Sequence, residues 1–171
     1  MENFTFQILH GREAFSSVQT ELAEFESSDR SLSIWNQAIP LSEITAHVTV
    51  RNSEDHSLQA FWPFAGYGVI SGIGLRALGC SSETPVDPLM RSDDATMRIT
   101  LMEGLEELLV NFRCIHIPAL QKILTQDILR PYFVRRQVPR KEELSASGHY
   151  SISLYQKSFY GKLNLWFGKS L

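Results

Sequence analysis

The sequence has few cysteines, and this scarcity argues against several classes of protein. Only Cys80 and Cys114 occur among 171 residues, too few for a disulfide framework. Neither belongs to a Cys-x-x-Cys pair, and the five histidines are scattered, so no metal-binding spacing is present. No glycine-flanked serine forms a nucleophile elbow. The sequence therefore predicts no metal site, no catalytic residues and no cofactor.

Long apolar runs are also missing. No stretch of about twenty apolar residues is available to span a bilayer, and none resembles a signal peptide. We therefore expect a cytosolic protein with reduced thiols, whose contact with any membrane is peripheral. The 171 residues, 43% of them hydrophobic, suffice for one domain with a core.

Net charge is low, at −3, but its distribution is uneven. Residues 1–60 carry nine acidic and three basic side chains, whereas residues 130–171 carry eight basic and two acidic ones. A chain polarised in this way can attract a copy of itself or present its basic end to phosphate groups. Two ordinary solvated faces of one fold explain the same pattern equally well.

Hydrophobic periodicity predicts the first elements. Alternating apolar residues predict a short strand or extended arm over residues 1–9 and a half-buried strand over residues 43–51. Three- and four-residue spacing predicts an amphipathic helix over residues 12–26. Pro63 interrupts an aromatic run and favours a loop or a short helix there. The glycine-rich residues 66–79 are expected to pack inside, against the sheet.

The second half of the chain is more ambiguous. Residues 97–112 fit strand and helix spacing, and we favour a long strand with a bulge near Gly104. Pro118 is expected to begin a helix that ends at Pro131, followed by paired strands over residues 132–138 and 149–159. The predicted fold class is α+β, a single domain with a mainly antiparallel sheet and two or three helices. Its parts are an arm with a helix (1–40), a globular unit (41–160) and a tail (161–171).

Several segments resemble the matrix proteins of rhabdoviruses. They are Thr49-Val-Arg-Asn-Ser53, Leu75-Arg-Ala-Leu-Gly-Cys-Ser-Ser82, residues 97–111 and Gly148-His-Tyr-Ser-Ile-Ser-Leu-Tyr155, in the same order as in that family. The likeness covers roughly residues 43–160. The chain lacks the lysine-rich amino-terminal cluster and the Pro-Pro-x-Tyr motif of the animal-virus members, so it is most similar to matrix proteins of plant rhabdoviruses, such as those of the cytorhabdovirus type.

The resemblance implies a structural protein of the virion and not an enzyme. Such a protein self-associates, condenses the viral nucleoprotein–RNA complex and links it to the anionic inner face of the envelope, with the viral glycoprotein as a further candidate partner. The resemblance implies location beneath the envelope and in the host cytoplasm, with the host nucleus as a further candidate location, and no small-molecule substrate. The side chains expected in self-association are Phe4, Phe6 and Ile8 on the arm, and Val86, Leu89 and Met90 on the receiving loop.

Basic residues near the carboxyl end are the candidates for membrane or nucleocapsid binding, since each base near an anionic membrane contributes about 1 kcal/mol. They are Arg130, Arg135, Arg136, Arg140 and Lys141, with Lys162, Trp166 and Lys169 in the tail.

The alternative is a small Rossmann-like enzyme that binds a nucleotide at a turn containing Gly72 and Gly74. The third glycine of that fingerprint is replaced by Ala77. Asp93 and Asp94 lack the preceding strand that the acidic residue of the motif requires.

Overall fold

The computed structural model describes residues 3–25, 28–79, 87–92, 94–120 and 129–167, with backbone alone for residues 28, 29 and 165–167. The strands are β1 (Phe4–His10), β2 (Thr45–Asn52), β3 (Leu58–Val69), β4 (Gly72–Ala77), β5 (Leu89–Met90), β6 (Cys114–Leu120), β7 (Arg140–Leu144) and β8 (Tyr150–Tyr155). The helices are α1 (Arg12–Leu22), α2 (Ser28–Ala38), α3 (Ala95–Asn111), α4 (Arg130–Arg135) and α5 (Lys157–Phe167), with a 3-10 turn at Ile39–Leu41.

One sheet runs through the whole molecule in the order β1-β2-β3-β4-β6-β8-β7, and β5 pairs with β3 beside this path. All neighbours are antiparallel except β4 and β6. The predicted α+β single domain is confirmed, but the sheet is mixed, and the described residues form five helices instead of two or three. None of the helices in these described ranges is long and apolar enough to cross a bilayer.

The strands predicted over residues 1–9 and 43–51 and the helix predicted over residues 12–26 are confirmed, but the loop at Pro63 is wrong. Strand β2 is buried on both faces instead of one, and residues 66–79 form the partly exposed hairpin of β3 and β4 instead of packing inside. Strand β3 continues through Pro63, which lies opposite His47 of β2. Phe61, Trp62 and Phe64 are completely buried, and Phe61 contacts Trp35 of α2 at a ring distance of 5.5 Å. Burial of these aromatic rings on the two faces of the sheet offsets the one amide that proline lacks.

Residues 95–111 form α3, so the strand predicted over residues 97–112 is wrong. Asp94 caps the helix, since its side chain accepts hydrogen bonds from the amides of Thr96 (2.8 Å) and Met97 (3.0 Å). Its buried positions include Leu101, Leu105 and Leu108, spaced as one helical face, and the helix packs across β1 and β2. The apolar spacing was compatible with both structures, and packing on the sheet decides for the helix.

Gly104 lets α3 approach the sheet closely. A Cβ atom at this position would lie 2.4 Å from Val48 Cγ1. We expect Gly104→Ala to lower the free energy of unfolding by about 1–3 kcal/mol, although alanine favours helices by about 1 kcal/mol. Urea unfolding measures the change.

Gly161 of α5 provides the matched control, because a Cβ atom there meets nothing within 4 Å. Gly161→Ala should be neutral or stabilising. Val48→Ala should recover part of the loss in the Gly104→Ala background, as a double-mutant cycle can show. A stabilised Gly104→Ala protein would contradict the close packing of α3.

The helix start predicted at Pro118 is wrong, because β6 continues to Leu120. Residues 121–128 of that predicted helix lie outside the described residues. The pairing of β6 with β8 shifts between Ile117 and Leu120, where proline offers no amide to the ladder. The strand predicted over residues 132–138 is also wrong. Residues 130–135 form α4, which has Pro131 in its first turn. Two observed elements have no counterpart among the predicted ones: α2 over Ser28–Ala38 and β7 over Arg140–Leu144.

Candidate functional site

The two parallel strands β4 and β6 lie in the middle of the sheet, and their pairing is short. β4 and β6 share two residue pairs, Leu75 with Ile115 and Arg76 with His116. β4 then ends at Ala77, while β6 continues along β8 as far as Leu120. Ligands of sheets that contain parallel strands bind outside the carboxyl ends of those strands. The parting of β4 and β6 is therefore the first candidate site.

A cavity of about 520 Å³ lies between the first half of α3 and α4. The described residues of its lining belong to these two helices. The cavity is lined by Ala95, Arg98, Ile99, Glu103, Pro131, Tyr132, Arg135 and Arg136. It combines an apolar wall with three guanidinium groups and one carboxylate.

Two of these arginines differ in their partners. Arg136 Nε lies 3.0 Å from Glu106 Oε2, which also accepts a hydrogen bond from the Tyr132 hydroxyl at 3.0 Å. Within the residues that the structure describes, Arg135 forms no ion pair with a carboxylate. Burial, followed by the hydrogen bond to Glu106, raises the pKa of Tyr132 to about 12. The cavity thus presents positive charge and a hydroxyl group that stays protonated at neutral pH.

The amino terminus of α3 adjoins this cavity at Ala95 but is already occupied. A helix amino terminus commonly binds phosphate through its free amides. Here the Asp94 carboxylate accepts hydrogen bonds from the amides of Thr96 and Met97, and its negative charge repels an anion. A phosphate in this region would therefore be bound by the arginine side chains.

The face of the sheet opposite α3 carries a row of polar side chains that includes the β4–β6 pair. Register aligns Arg76 of β4, His116 of β6, Ser153 of β8 and Lys141 of β7, so their side chains point to one face. His116 Nδ1 lies 2.9 Å from Ser153 Oγ. Burial and then the charge of Arg76 lower the pKa of His116, against a smaller opposing effect of Glu143. His116 is thus neutral near pH 7.

Tyr67 closes this polar row on one side. Its hydroxyl lies 3.3 Å from Cys114 Sγ, on the strand beyond β4. Gly74 permits the crossing, because a Cβ atom there would lie 2.9 Å from Tyr67 Cζ and 2.8 Å from Cys114 Sγ. Burial raises the pKa values of both Tyr67 and Cys114, so neither is ionised at neutral pH. The described residues contain no group of three or more His, Cys, Asp or Glu side chains suited to a metal.

The residues predicted for self-association are packed within the chain. Phe4, Phe6 and Ile8 belong to β1 and pack against the core. Leu89 and Met90 form β5, which pairs with β3. Val86 lies outside the described residues. The structure does not test the assignment to self-association, which stays a prediction.

The basic cluster predicted from the sequence is divided between two places. Arg135 and Arg136 line the cavity. Arg130 and Arg140 both pair with Glu142, and Lys141 Nζ lies 3.0 Å from Glu143. Lys162 is exposed on α5, whereas the side chain of Trp166 and the whole of Lys169 lie outside the described residues. Binding of these residues to a membrane or nucleocapsid is likewise untested.

Sequence reasoning did not single out Arg76, His116, Arg98 or Tyr132 as site residues. Arg76 and His116 are forty positions apart and become neighbours only through the parallel pairing of β4 with β6. The signal that was available is the sequence of strand, long helix and strand over residues 72–120, which predicts a parallel crossover once residues 95–111 are recognised as a helix.

No protein-family model matches the sequence. No curated protein matches it. Solved structures do share its shape. A bacterial toxin aligns with a TM-score of 0.52 and 11% identity over 96% of this chain and 97% of its own. A ribosomal-protein-S5-alanine acetyltransferase from Vibrio fischeri aligns with a TM-score of 0.50 and 9% identity, over 93% and 96%. A nucleotide-linked sugar GNAT aligns with a TM-score of 0.48 and 9% identity, over 98% and 95%.

The interpretation as a rhabdovirus matrix protein is wrong. The described parts of the short segments that suggested it belong to strands, a helix and turns of a domain shaped like an acetyltransferase and a bacterial toxin, and nothing in these comparisons points to a matrix protein. The same comparisons overturn two further expectations: that the protein is a non-enzymatic component of a virion, and that it has no small-molecule substrate.

The alternative of a small enzyme agrees better with these comparisons, but its proposed site is wrong in detail. Gly72 and Gly74 lie within β4, paired with β3, and not at a turn between a strand and a helix. At these levels of identity, the comparisons show the fold alone: a single α+β domain shaped like those of the acetyltransferase and the bacterial toxin.

Proposed function

We propose that this protein is an N-acyltransferase, which moves an acetyl or similar acyl group from a phosphate-bearing thioester such as acetyl-CoA to an amine. The observation that carries the proposal is the arginine-lined cavity between α3 and α4. The fold supports it, because a protein of this fold is described as an acetyltransferase.

The residues of the cavity fit such a donor. Arg98, Arg135 and Arg136 match phosphate groups, for which guanidinium is a preferred partner. Ala95, Ile99 and Pro131 supply apolar contact for the uncharged arm of the carrier. The donor, when bound, supplies an activated carbonyl carbon. Helix amino termini often bind phosphate, but Asp94 caps the amino terminus of α3. The arginines therefore bind the phosphate groups instead.

His116 is the candidate general base. An amine must lose a proton to attack a carbonyl group, and a histidine that is neutral at pH 7 can accept it. In the tautomer whose Nδ1–H donates to Ser153 Oγ, the lone pair of Nε2 is available for that proton. Ser153 therefore positions the base without touching the acceptor.

Tyr132 is a candidate contact for the bound donor. It supplies the one hydroxyl group among the described residues that line the cavity, and with a pKa of about 12 it retains its proton at neutral pH. Glu106 accepts a hydrogen bond from this hydroxyl and so orients it, which leaves the Tyr132 oxygen to accept a hydrogen bond from the carrier. As the carbon–nitrogen bond forms and the carbon–sulfur bond breaks, the thiolate leaves with the carrier and takes its proton from solvent.

The test is an acyl-transfer assay with acetyl-CoA and a panel of amines, read by mass spectrometry. Isothermal titration calorimetry with CoA runs beside it. We expect saturable CoA binding and a product heavier by one acetyl group. A folded protein that neither binds CoA nor acetylates any amine would contradict the proposal.

Arg135→Ala should weaken CoA binding by about tenfold, the equivalent of one modest charge-assisted hydrogen bond. Arg98→Ala should act similarly, and the loss should shrink at high salt. Pantetheine lacks phosphate groups, so the same variants should leave its affinity unchanged. Calorimetry with both ligands measures the difference.

Two control variants sharpen this experiment. Arg30→Ala removes an exposed arginine of α2 and should leave CoA binding unchanged. Asp94→Asn keeps a good helix cap but removes its charge, and it should change affinity little. Marked tightening by Asp94→Asn with no effect of Arg135→Ala would place the phosphates at the helix terminus and contradict the role of the arginines.

A further inference from the structure

We propose that the acceptor is an amine that carries an anionic group, a carboxylate or a phosphate, within a few bonds of its nitrogen, and that Arg76 binds this group. The inference rests on the proposed acyl transfer and names the class of its second substrate. Its basis is the last residue pair of β4 and β6, which places Arg76 directly opposite His116.

Arg76 and His116 share one face of the sheet because they are register partners. Arg76 is exposed, whereas His116 is half-buried and lies 2.9 Å from Ser153. In the described part of the chain, no carboxylate lies within ion-pair distance of Arg76. Its guanidinium group is therefore available to a ligand that also reaches the base.

The covering helices leave this part of the face accessible. Phe15 of α1 and Trp35 of α2 contact Phe61 of β3, at ring distances of 5.9 and 5.5 Å. Six positions further along β3, on the same face, Tyr67 is 40% exposed. A ligand can thus approach beside the ring of Tyr67, with Arg76 and His116 in front of it.

The charges on this row select between acceptors. Lys141 is paired with Glu143, so the two contribute little net charge. The charge of Arg76 therefore gives the row a net positive charge. This charge repels an acceptor whose only charge is its ammonium group. An acceptor with an anionic group near the amine forms a charge-assisted hydrogen bond to Arg76 instead. That bond would hold the nitrogen near His116 while the amine loses its proton.

The test uses matched acceptors that differ only in the anionic group. They are phenylalanine with phenylalaninamide, and O-phosphoethanolamine with ethanolamine, with acetyl-CoA as the donor. For the wild-type protein, kcat/KM should be at least about tenfold higher for the anionic member of one pair, equivalent to a single charge-assisted contact. The pair with the larger ratio identifies carboxylate or phosphate as the preferred group.

Variants of Arg76 assign the preference to this residue. Arg76→Ala should bring the ratio of the two kcat/KM values to about one, chiefly by raising KM for the anionic acceptor. Arg76→Lys should retain part of the preference. Arg76→Glu should favour the uncharged or cationic member. Arg30→Ala serves as a control for the loss of one positive charge. Calorimetry with the anionic acceptor and the CoA-loaded protein gives a readout that does not depend on turnover.

Two failures are distinguishable. If the wild-type protein acetylates amines without preference, or if Arg76→Ala lowers kcat equally for both members, the inference is overturned and the acyl transfer stands. If CoA neither binds nor donates, the proposed function falls, and the inference falls with it.

Discussion

His116→Ala is expected to lower kcat by about 100-fold or more, the usual contribution of a general base. His116 lies beside the parting strands, and its Nδ1 is 2.9 Å from Ser153 Oγ. Its pKa is lowered by burial and by Arg76, so the acidic limb of the wild-type rate profile should lie below the ordinary histidine range. In His116→Ala this limb should disappear. Steady-state rates between pH 5 and 9 with acetyl-CoA and the best acceptor measure both effects.

Two further variants separate catalysis from structure. Ser153→Ala removes the positioning partner but keeps the imidazole, so it should lower kcat less than His116→Ala does and should shift the acidic limb. His56→Asn removes an exposed histidine at φ 60°, a conformation that asparagine tolerates, and should leave the profile unchanged. A His116→Ala protein that is fully active, with its acidic limb intact, would contradict the assignment of His116 as the base.

The free energy of unfolding is expected to fall by about 2 kcal/mol between pH 7.5 and pH 5, because His47 must be charged in the unfolded chain but not in the folded one. His47 is buried, and its ring stacks on Phe61 at 5.4 Å. Burial lowers the pKa of His47 from the ordinary histidine value of 6.5 to about 4. A lowered histidine pKa stabilises the fold above pH 6.5, and this stability is lost as pH falls from 6.5 toward 4. Urea unfolding at half-unit pH intervals measures the slope.

His47→Phe isolates this contribution. The substitution keeps an aromatic ring beside Phe15 and Phe61 but removes the titrating group and its contact with the Gly11 carbonyl oxygen, 3.3 Å from Nε2. The variant should unfold with a much smaller dependence on pH between 7.5 and 5. Some dependence should remain, since the lowered pKa of His116 acts in the same direction. An unchanged slope would show that His47 is not held neutral by the fold.

Local periodicity was sufficient for elements whose apolar pattern fits one structure. The alternation of Phe4, Phe6 and Ile8 became β1, and the alternation over residues 43–51 became β2. Phe15, Val18 and Leu22 lie on the buried face of α1, as their spacing predicted. The apolar pattern along the chain carries the information in each case, even in β2, where the polar positions are buried as well.

Periodicity failed where an element is apolar on several sides. Residues 95–111 fit strand and helix patterns alike, and the close contact of Gly104 with Val48 shows why a helix resting on the sheet wins. The misassignment of α3 also hid the parallel crossover from β4 to β6. Without that crossover, Arg76 and His116 belong to separate parts of the sequence, and no site can be assembled from them.

The sequence by itself determined the α+β class, the single domain and the accumulation of positive charge that supplies Arg135 and Arg136 to the cavity. The tertiary structure alone decided which strands are neighbours, that β4 and β6 part after two residue pairs, and that Asp94 occupies the amino terminus of α3. The reason is that hydrophobic spacing records which side of a segment is buried. Strand order and the meeting of distant polar groups arise only when all segments pack against one another.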